Sequence, residues 1–370
     1  YTIKFPDAGV YWYHPHFDEP YEQMMGLYGN FIVTPTDDAY WSRVNREIPI
    51  TLGDILMGED GQPVPFTKGR TDHTLMGRYG NVLLTSGMEN LKLTAKKGEV
   101  VRLYLTNVAN ATPFNFTLPG AKLKLVGSDN GRYEKETFVD GVILGPSERA
   151  VVDAYFPESG IFPIEHKTPA HTHSLGTFTV TDDAIPTSYR SEFETLRVNE
   201  ATLEEFKTLD RYQAKAPDKT IRLTVDMPGM GSAMGGSGSG MMGMHRMPDG
   251  SMVHNDGSMV MGGETSKIEW EDTMAMMNAM SDQTSVKWQI VDEETKMVNM
   301  HVNWKFKVGD KVKIRVVNDE KSMHPMQHPI HFHGERFVVL ATNGVPNTNM
   351  VWKDTTLVQK GDTVDILLDV

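Results

Sequence analysis

The stretch Ala95–Asn107, AKKGEVVRLYLTN, returns at Phe306–Asn318 as FKVGDKVKIRVVN. Both copies read Lys-x-Gly-Glu/Asp, then a run of alternating polarity, then a closing Asn. Alternation with period two marks a strand with one buried face, and Gly followed by an acid marks the turn that feeds it. Working outward, Asp140–Glu148 (DGVILGPSE) stands opposite Asp354–Asp362 (DTTLVQKGD), and the segment ending at Gly120 aligns with the one ending at Gly334. A third, partial copy opens the chain, where Phe5-Pro6-Asp7-Ala8-Gly9-Val10-Tyr11 matches Phe156-Pro157-Glu158-Ser159-Gly160-Ile161-Phe162. One unit therefore occurs about three times and is complete only in the middle. Val370 corresponds to Phe156 and hence to Phe5, so the two outer pieces add up to one unit. The expectation is a partial or trimmed chain. A sharper alternative has residues 1–35 completing the last unit, in cis or from a neighbouring chain.

Short strands such as Val100–Leu105 and Val312–Val316, separated by Gly, Pro, Asn and Asp roughly every ten residues, point to antiparallel β-sandwiches or Greek-key barrels. One helix is expected around Ala201–Tyr212, where Leu203, Phe206 and Leu209 recur at helical spacing. The 370 residues carry a net charge of −13, with 24 Met and no Cys. Without cysteine there are no disulfides, thiolate nucleophiles or zinc–thiolate sites. The acidic balance, with no long basic run, argues against nucleic acid and against an electrostatic membrane anchor, and no stretch approaches the ~18 apolar residues of a membrane span. Small cations remain natural partners.

Five of the 13 histidines fall in two constellations. In Tyr11-Trp12-Tyr13-His14-Pro15-His16 the aromatics favour an extended backbone, on which residues i and i+2 share a face, so His14 and His16 can address one metal. In His328-Pro329-Ile330-His331-Phe332-His333-Gly334, His331 and His333 share a face and His328 has the opposite parity, as two neighbouring metal sites require. The internal repeat supplies a control, because the middle unit has Phe114, Thr117 and Pro119 where the last has these three histidines. The fold does not demand imidazole there. Imidazole-rich sites suit copper, zinc, iron or nickel, and the abundance of thioether favours copper.

HPIHFHG is similar to the His-Pro-x-His-x-His-Gly signature of multicopper oxidases, and YWYHPH followed by Met25–Val33 looks like that family's second copper motif. The resemblance spans nearly the whole chain. It implies an all-β chain of consecutive cupredoxin-like Greek-key β-sandwich domains, the middle one complete and the outer two partial: residues 1–36, the C-terminal remnant of the first; 37–182, the second; 183–217, a connection with the helix; and 218–370, the third, lacking its end. It also implies oxidation of a substrate by single electrons coupled to reduction of O2 to water. By resemblance His328 ligates a type 1 copper, His331 the type 2 copper, and His333, His14 and His16 the type 3 pair. The family's first motif (His-x-His-Gly) and fourth (His-Cys-His-x3-His-x4-Met) are absent from the sequence, and with the fourth goes the type 1 cysteine. The resemblance further implies export and leaves the oligomeric state open.

Residues 227–280 hold 14 of the 24 Met. Met241, Met242, Met244 and Met247 crowd around His245 within a Gly/Ser-rich stretch, a soft-donor pattern for Cu(I), with a plain low-complexity linker as the other reading. Similar Met-rich insertions occur in family members that oxidise Cu(I), and by that resemblance the substrate tilts from phenols toward Cu(I). Buried core is not expected there, and Asp272 is expected to cap a short helix reaching Met280. A non-catalytic copper-binding or copper-tolerance protein is the alternative function. Pro163 and Pro169 disrupt the register around His166, His171 and His173, which are expected to be surface or vestigial; His324 and Met326 are expected in a solvated loop, with a substrate approach as the alternative; and Asp354, like its counterpart Asp140, is expected to serve a turn.

Overall fold

A computed structural model describes residues 2–5, 7–66, 72–228 and 266–370, with the backbone alone of three short strands, Met244–Arg246, Met252–His254 and Met259–Val260. Met241, Met242 and Met247, and the side chains of Met244 and His245, lie outside the described residues.

The alternating stretch Val100–Asn107 is the third strand of a six-stranded sheet. The spatial order is Val82–Thr85, Arg46–Ile55, Val100–Asn107, Arg149–Tyr155, Lys122–Ser128, Gly131–Val139. Its repeat partner Lys311–Asn318 holds the same place in a second six-stranded sheet, after Lys287–Asp292 and Lys219–Asp226 and before Thr363–Asp369, Arg336–Thr342 and Val345–Pro346. In both sheets the second and third strands run parallel. The repeated turn glycines Gly98 and Gly309 have φ of 84° and 93°, a left-handed conformation that costs glycine no Cβ clash. Their amides donate to the carbonyls of Phe156 and Val370, each at 2.7 Å, so the correspondence of those two residues holds in space. The closing asparagines also match. Asn107 donates to the carbonyls of Thr112 and Leu144, and Asn318 to those of Met326 and Val358, each tying one sheet to the loops of the facing one.

In the middle unit the facing sheet has five strands, ordered Gly141–Leu144, Phe114–Thr117, Gly160–Lys167, Thr172–Thr181, Leu91–Lys96. Between the sheets lies a core that includes Val101, Leu103, Leu105, Phe114, Phe116, Val152, Phe156 and Phe178. Each such fully buried side chain contributes about 1.5–3 kcal/mol by burial. Every residue of Val100–Asn107 is buried, polar face included, because Val10, Trp41 and Phe193 cover the outer side and Arg102 is neutralised by Asp153 at 2.8 Å.

In the last unit the facing sheet has two strands, His328–His331 and Thr355–Val358. His328 pairs with Val358 and His331 with Thr355, as Phe114 pairs with Leu144 and Thr117 with Gly141. The pair Gly9–Tyr13 and Gly29–Val33 corresponds by repeat to Gly160–Lys167 and Thr172–Thr181, yet it forms a sheet of its own rather than joining the His328–His331 strand. Val10 instead packs on Tyr104, Val126 and Val151 of the middle unit.

The expected helix runs Glu200–Lys207 and continues as a 3-10 turn, Asp210–Tyr212. Phe206 and Leu209 bury against Val338, Leu340, Trp352 and Leu367 of the last unit. The later helix is Ala275–Met280, with Met274 rather than Asp272 at its N-cap; Asp272 accepts from the Met274 amide and the Asn278 side chain. Contrary to expectation, the Met-rich region does enter the core at both margins. Met227 is buried, and Met274 and Met277 pack beside it with Met76 and Met326. Among the described residues no helix is long and apolar enough to cross a membrane.

Candidate metal centre

His14 and His16 follow the end of the strand Gly9–Tyr13, and a left-handed Asp18 at φ 49° turns the chain into a short helix, Glu19–Met24. The two imidazoles lie side by side, with ring centres 5.2 Å apart. His331 ends its strand and His333 lies in the turn that follows, with centres 4.5 Å apart. The two pairs then meet across units, His16 lying 4.7 Å from His333. His331, His333, His16 and His14 thus form one row of imidazoles. Asp7 and Arg336, paired at 2.7 Å, brace the same junction.

Sequence reasoning missed Glu19. Its carboxylate oxygens lie 3.4 Å from His14 Nδ1 and 3.6 Å from His16 Nδ1, and the donor atoms of His14, His16 and Glu19 all lie within 4.8 Å of one another. An acid three residues after His16 was the available signal.

Tautomers follow from the carbonyl partners. His331 Nδ1 donates to the Asp354 carbonyl at 2.8 Å, and His14 Nδ1 donates to the Pro15 carbonyl at 3.0 Å, so each keeps the Nε2 lone pair for a metal. Burial pulls the His331 pKa down, but the Asp354 carboxylate outweighs it and the value is raised. Burial, with His331 and His16 as neighbours, lowers that of His333.

Asp354 is not a turn residue like its exposed counterpart Asp140. Both of its oxygens accept from the buried Arg149 at 2.6 Å, and Arg149 also donates from Nε to the Val10 carbonyl at 2.8 Å. One guanidinium thereby links all three units. Asp129 and Lys353 complete a buried ionic cluster, their charged atoms 3.5 Å apart. Asp354 is held well below the usual carboxylate range, because the Arg149 charge and hydrogen bonds override the effect of burial.

His328 has the opposite parity and points elsewhere. It stands against Trp288, ring centres 4.9 Å apart, on a cavity of about 990 Å³ between the middle and last units whose walls include Glu19, His73, Met76, Met326 and Trp288. Burial pushes its imidazole down to about 4, so it stays neutral and available as a ligand. His324 Nε2 lies 3.0 Å from Met76 Sδ in the same region. His73, which belonged to no motif, is buried beside Asp72 at 3.2 Å. His166 is not at the surface. It is 2% exposed, and its Nδ1 accepts from the Asn115 amide. His171 is exposed, as expected, and His173 is half-buried.

Three profiles described as "Multicopper oxidase" match residues 1–38, 49–174 and 269–370, together more than half of the chain. The chain belongs to the multicopper oxidase family. It is 30% identical over 158 residues to the multicopper oxidase mco of Staphylococcus haemolyticus, a match covering 40% of this chain and 34% of that protein. It is 23% identical to the multicopper oxidase MmcO of Mycobacterium tuberculosis, over 97% of this chain and 63% of that one. Its fold is similar to that of a Campylobacter jejuni multicopper oxidase described as a metallo-oxidase, with a TM-score of 0.64, 21% identity, and coverage of 98% of this chain and 66% of that one. The chain thus spans less than two thirds of the length of these relatives. The family implies copper as cofactor. The donor set fits it: paired imidazoles, with the Nε2 of His14 and His331 free, one carboxylate and nearby thioethers.

Proposed function

We propose that this chain carries part of the copper machinery of an oxidase that takes single electrons from a reductant and passes them to O2, giving water. His14, His16, His331 and His333 would hold copper at the junction of the first and last units, and His328 would hold a separate copper at the wall of the large cavity. The observation that carries the reading is the approach of His16 to His333 at 4.7 Å, which brings together two His-x-His motifs more than 300 residues apart. When bound, copper supplies the reversible one-electron transfer that imidazole and carboxylate lack. The protein's own part is positional. Asp354 fixes the ring of His331 through Nδ1 and leaves its Nε2 free, Arg149 fixes Asp354, and Glu19 offers a carboxylate beside His14 and His16.

Cu(I) is the favoured reductant over phenols. His324 and Met76 in contact, with Met326 two residues before His328, set soft donors beside the proposed electron-entry histidine. Export to a periplasmic or extracellular space belongs to the same proposal. The test is copper loading followed by metal analysis and oxygen uptake with Cu(I) or a phenol as donor. Retained copper without oxygen uptake would favour a copper-binding protein without turnover. The double variant His16→Ala/His333→Ala should lose bound copper at the junction; unchanged copper content would refute the ligand assignment.

A further inference from the structure

A second group of imidazoles lies on the middle sandwich, away from the junction. His173 belongs to the strand Thr172–Thr181, directly opposite His166, and His171 precedes that strand. A tight loop fixes His171: the Thr168 amide donates to its carbonyl at 2.8 Å, and its own amide donates to Thr168 Oγ1 at 2.9 Å. From the last unit, Glu271 places one oxygen, Oε1, 3.7 Å from His171 Nε2 and 3.9 Å from His173 Nε2. Its neighbour Trp270 anchors that segment, lying 5.8 Å from the His166 ring.

We propose that His171, His173 and Glu271 form a binding site for a divalent transition-metal ion of the Zn(II)/Cu(II) class, clipping the segment after the Met-rich stretch to the middle sandwich. Neither imidazole is within hydrogen-bonding distance of the carboxylate, yet both present Nε2 to the same oxygen, the arrangement a shared cation produces. With metal–ligand bonds of about 2.0–2.1 Å in tetrahedral geometry, donor atoms sit roughly 3.3–3.4 Å apart; the two imidazoles, their ring centres 5.9 Å apart and their Nε2 atoms more than 4.8 Å apart, must swing together by more than an ångström on binding. Side-chain exposures of 58%, 40% and 45% leave water to fill the fourth position. His166 is not a ligand. Its Nδ1 accepts a backbone hydrogen bond, so its Nε2 carries the proton, and it serves as the wall behind His173.

The test is a Zn(II) titration of the full chain against a chromophoric competitor, with a Zn anomalous map from soaked crystals. His171→Ala/His173→Ala should bind one equivalent fewer than wild type. Glu271→Gln should weaken that equivalent by more than the ~10–100-fold that outer-shell partners are worth. The anomalous map should place a peak between the three side chains. All three residues are at the surface, so the variants should fold, which circular dichroism checks. Equal Zn(II) stoichiometry and affinity in the double variant, or no peak at this position, overturns the site. Zn(II) is redox-inactive, so neither result depends on oxidase activity.

Discussion

Replacing Arg149 with methionine removes a cation that is 2% exposed while keeping most of its bulk. Wild-type Arg149 gives two 2.6 Å hydrogen bonds to Asp354 and single bonds to the carbonyls of Val10 and Ser147. A pair of unit charges about 4 Å apart at an effective dielectric of 20 is worth about 4 kcal/mol, and breaking a buried pair from one side costs about 3–5 kcal/mol. Lys353 remains beside Asp129, so the loss falls mainly on Asp354, and about 3–4 kcal/mol is expected at pH 7. The sign of the pH dependence follows from Asp354. Its depressed pKa in the wild type gives stability that is complete above the unfolded value near 4 and is lost as pH falls below it. In the variant the buried carboxyl takes up a proton more readily, so the gap to wild type narrows on acidification. Urea unfolding followed by tryptophan fluorescence at pH 7 and pH 5 measures this. The double variant Arg149→Met/Asp354→Leu should recover most of the loss, since no charge is then stranded. An Arg149→Met penalty under about 1 kcal/mol, or a double variant weaker than the single, would refute this account of the cluster.

Further outcomes are expected elsewhere. Burial raises Asp54 to about 6, so its stability contribution is full below about pH 4 and is lost as pH rises to 6; Asp54→Asn should remove about 3 kcal/mol of that slope in acid-range unfolding curves. Burial and His173 lower His166 to about 4, so its contribution is full above 6.5 and is lost as pH falls; His166→Gln should abolish an opposing slope of similar size, and if both single variants keep the wild-type profile the two assignments fail. Phe206→Ala empties a fully buried site against Trp352 and should cost about 3–5 kcal/mol by thermal or urea unfolding, with a loss under 1 kcal/mol counting against the helix as a clamp. Asp354→Asn keeps its carbonyl on His331 Nδ1 but loses the paired carboxylate; copper bound at the junction should show altered electron paramagnetic resonance parameters, and an unchanged spectrum would remove Asp354 as a positioning residue.

The parts of this molecule that were legible from its sequence are those that repeat. A turn glycine, a strand and a closing Asn occur twice because each copy solves the same local problem, and Gly98 and Gly309, like Asn107 and Asn318, make matching hydrogen bonds in their own units. The histidines stood out because the second copy dispenses with them, Phe114 sitting in the core where His328 faces a cavity. Comparison between copies misled where the copies face different neighbours. Asp140 faces solvent and made Asp354 look like a turn residue, but Asp354 faces the middle unit, which supplies Arg149. His166 looked peripheral because prolines flank it, yet its place in the ladder turns it inward onto the Asn115 amide. Met76 acts across a unit boundary on His324, and Glu19 reaches His14 and His16 from the helix that follows them, outside the period-two pattern of that motif. Local rules describe a unit, whereas the candidate site is a property of how three units meet. A charged or soft side chain aligned with an unremarkable residue in another copy is therefore where function should be sought first.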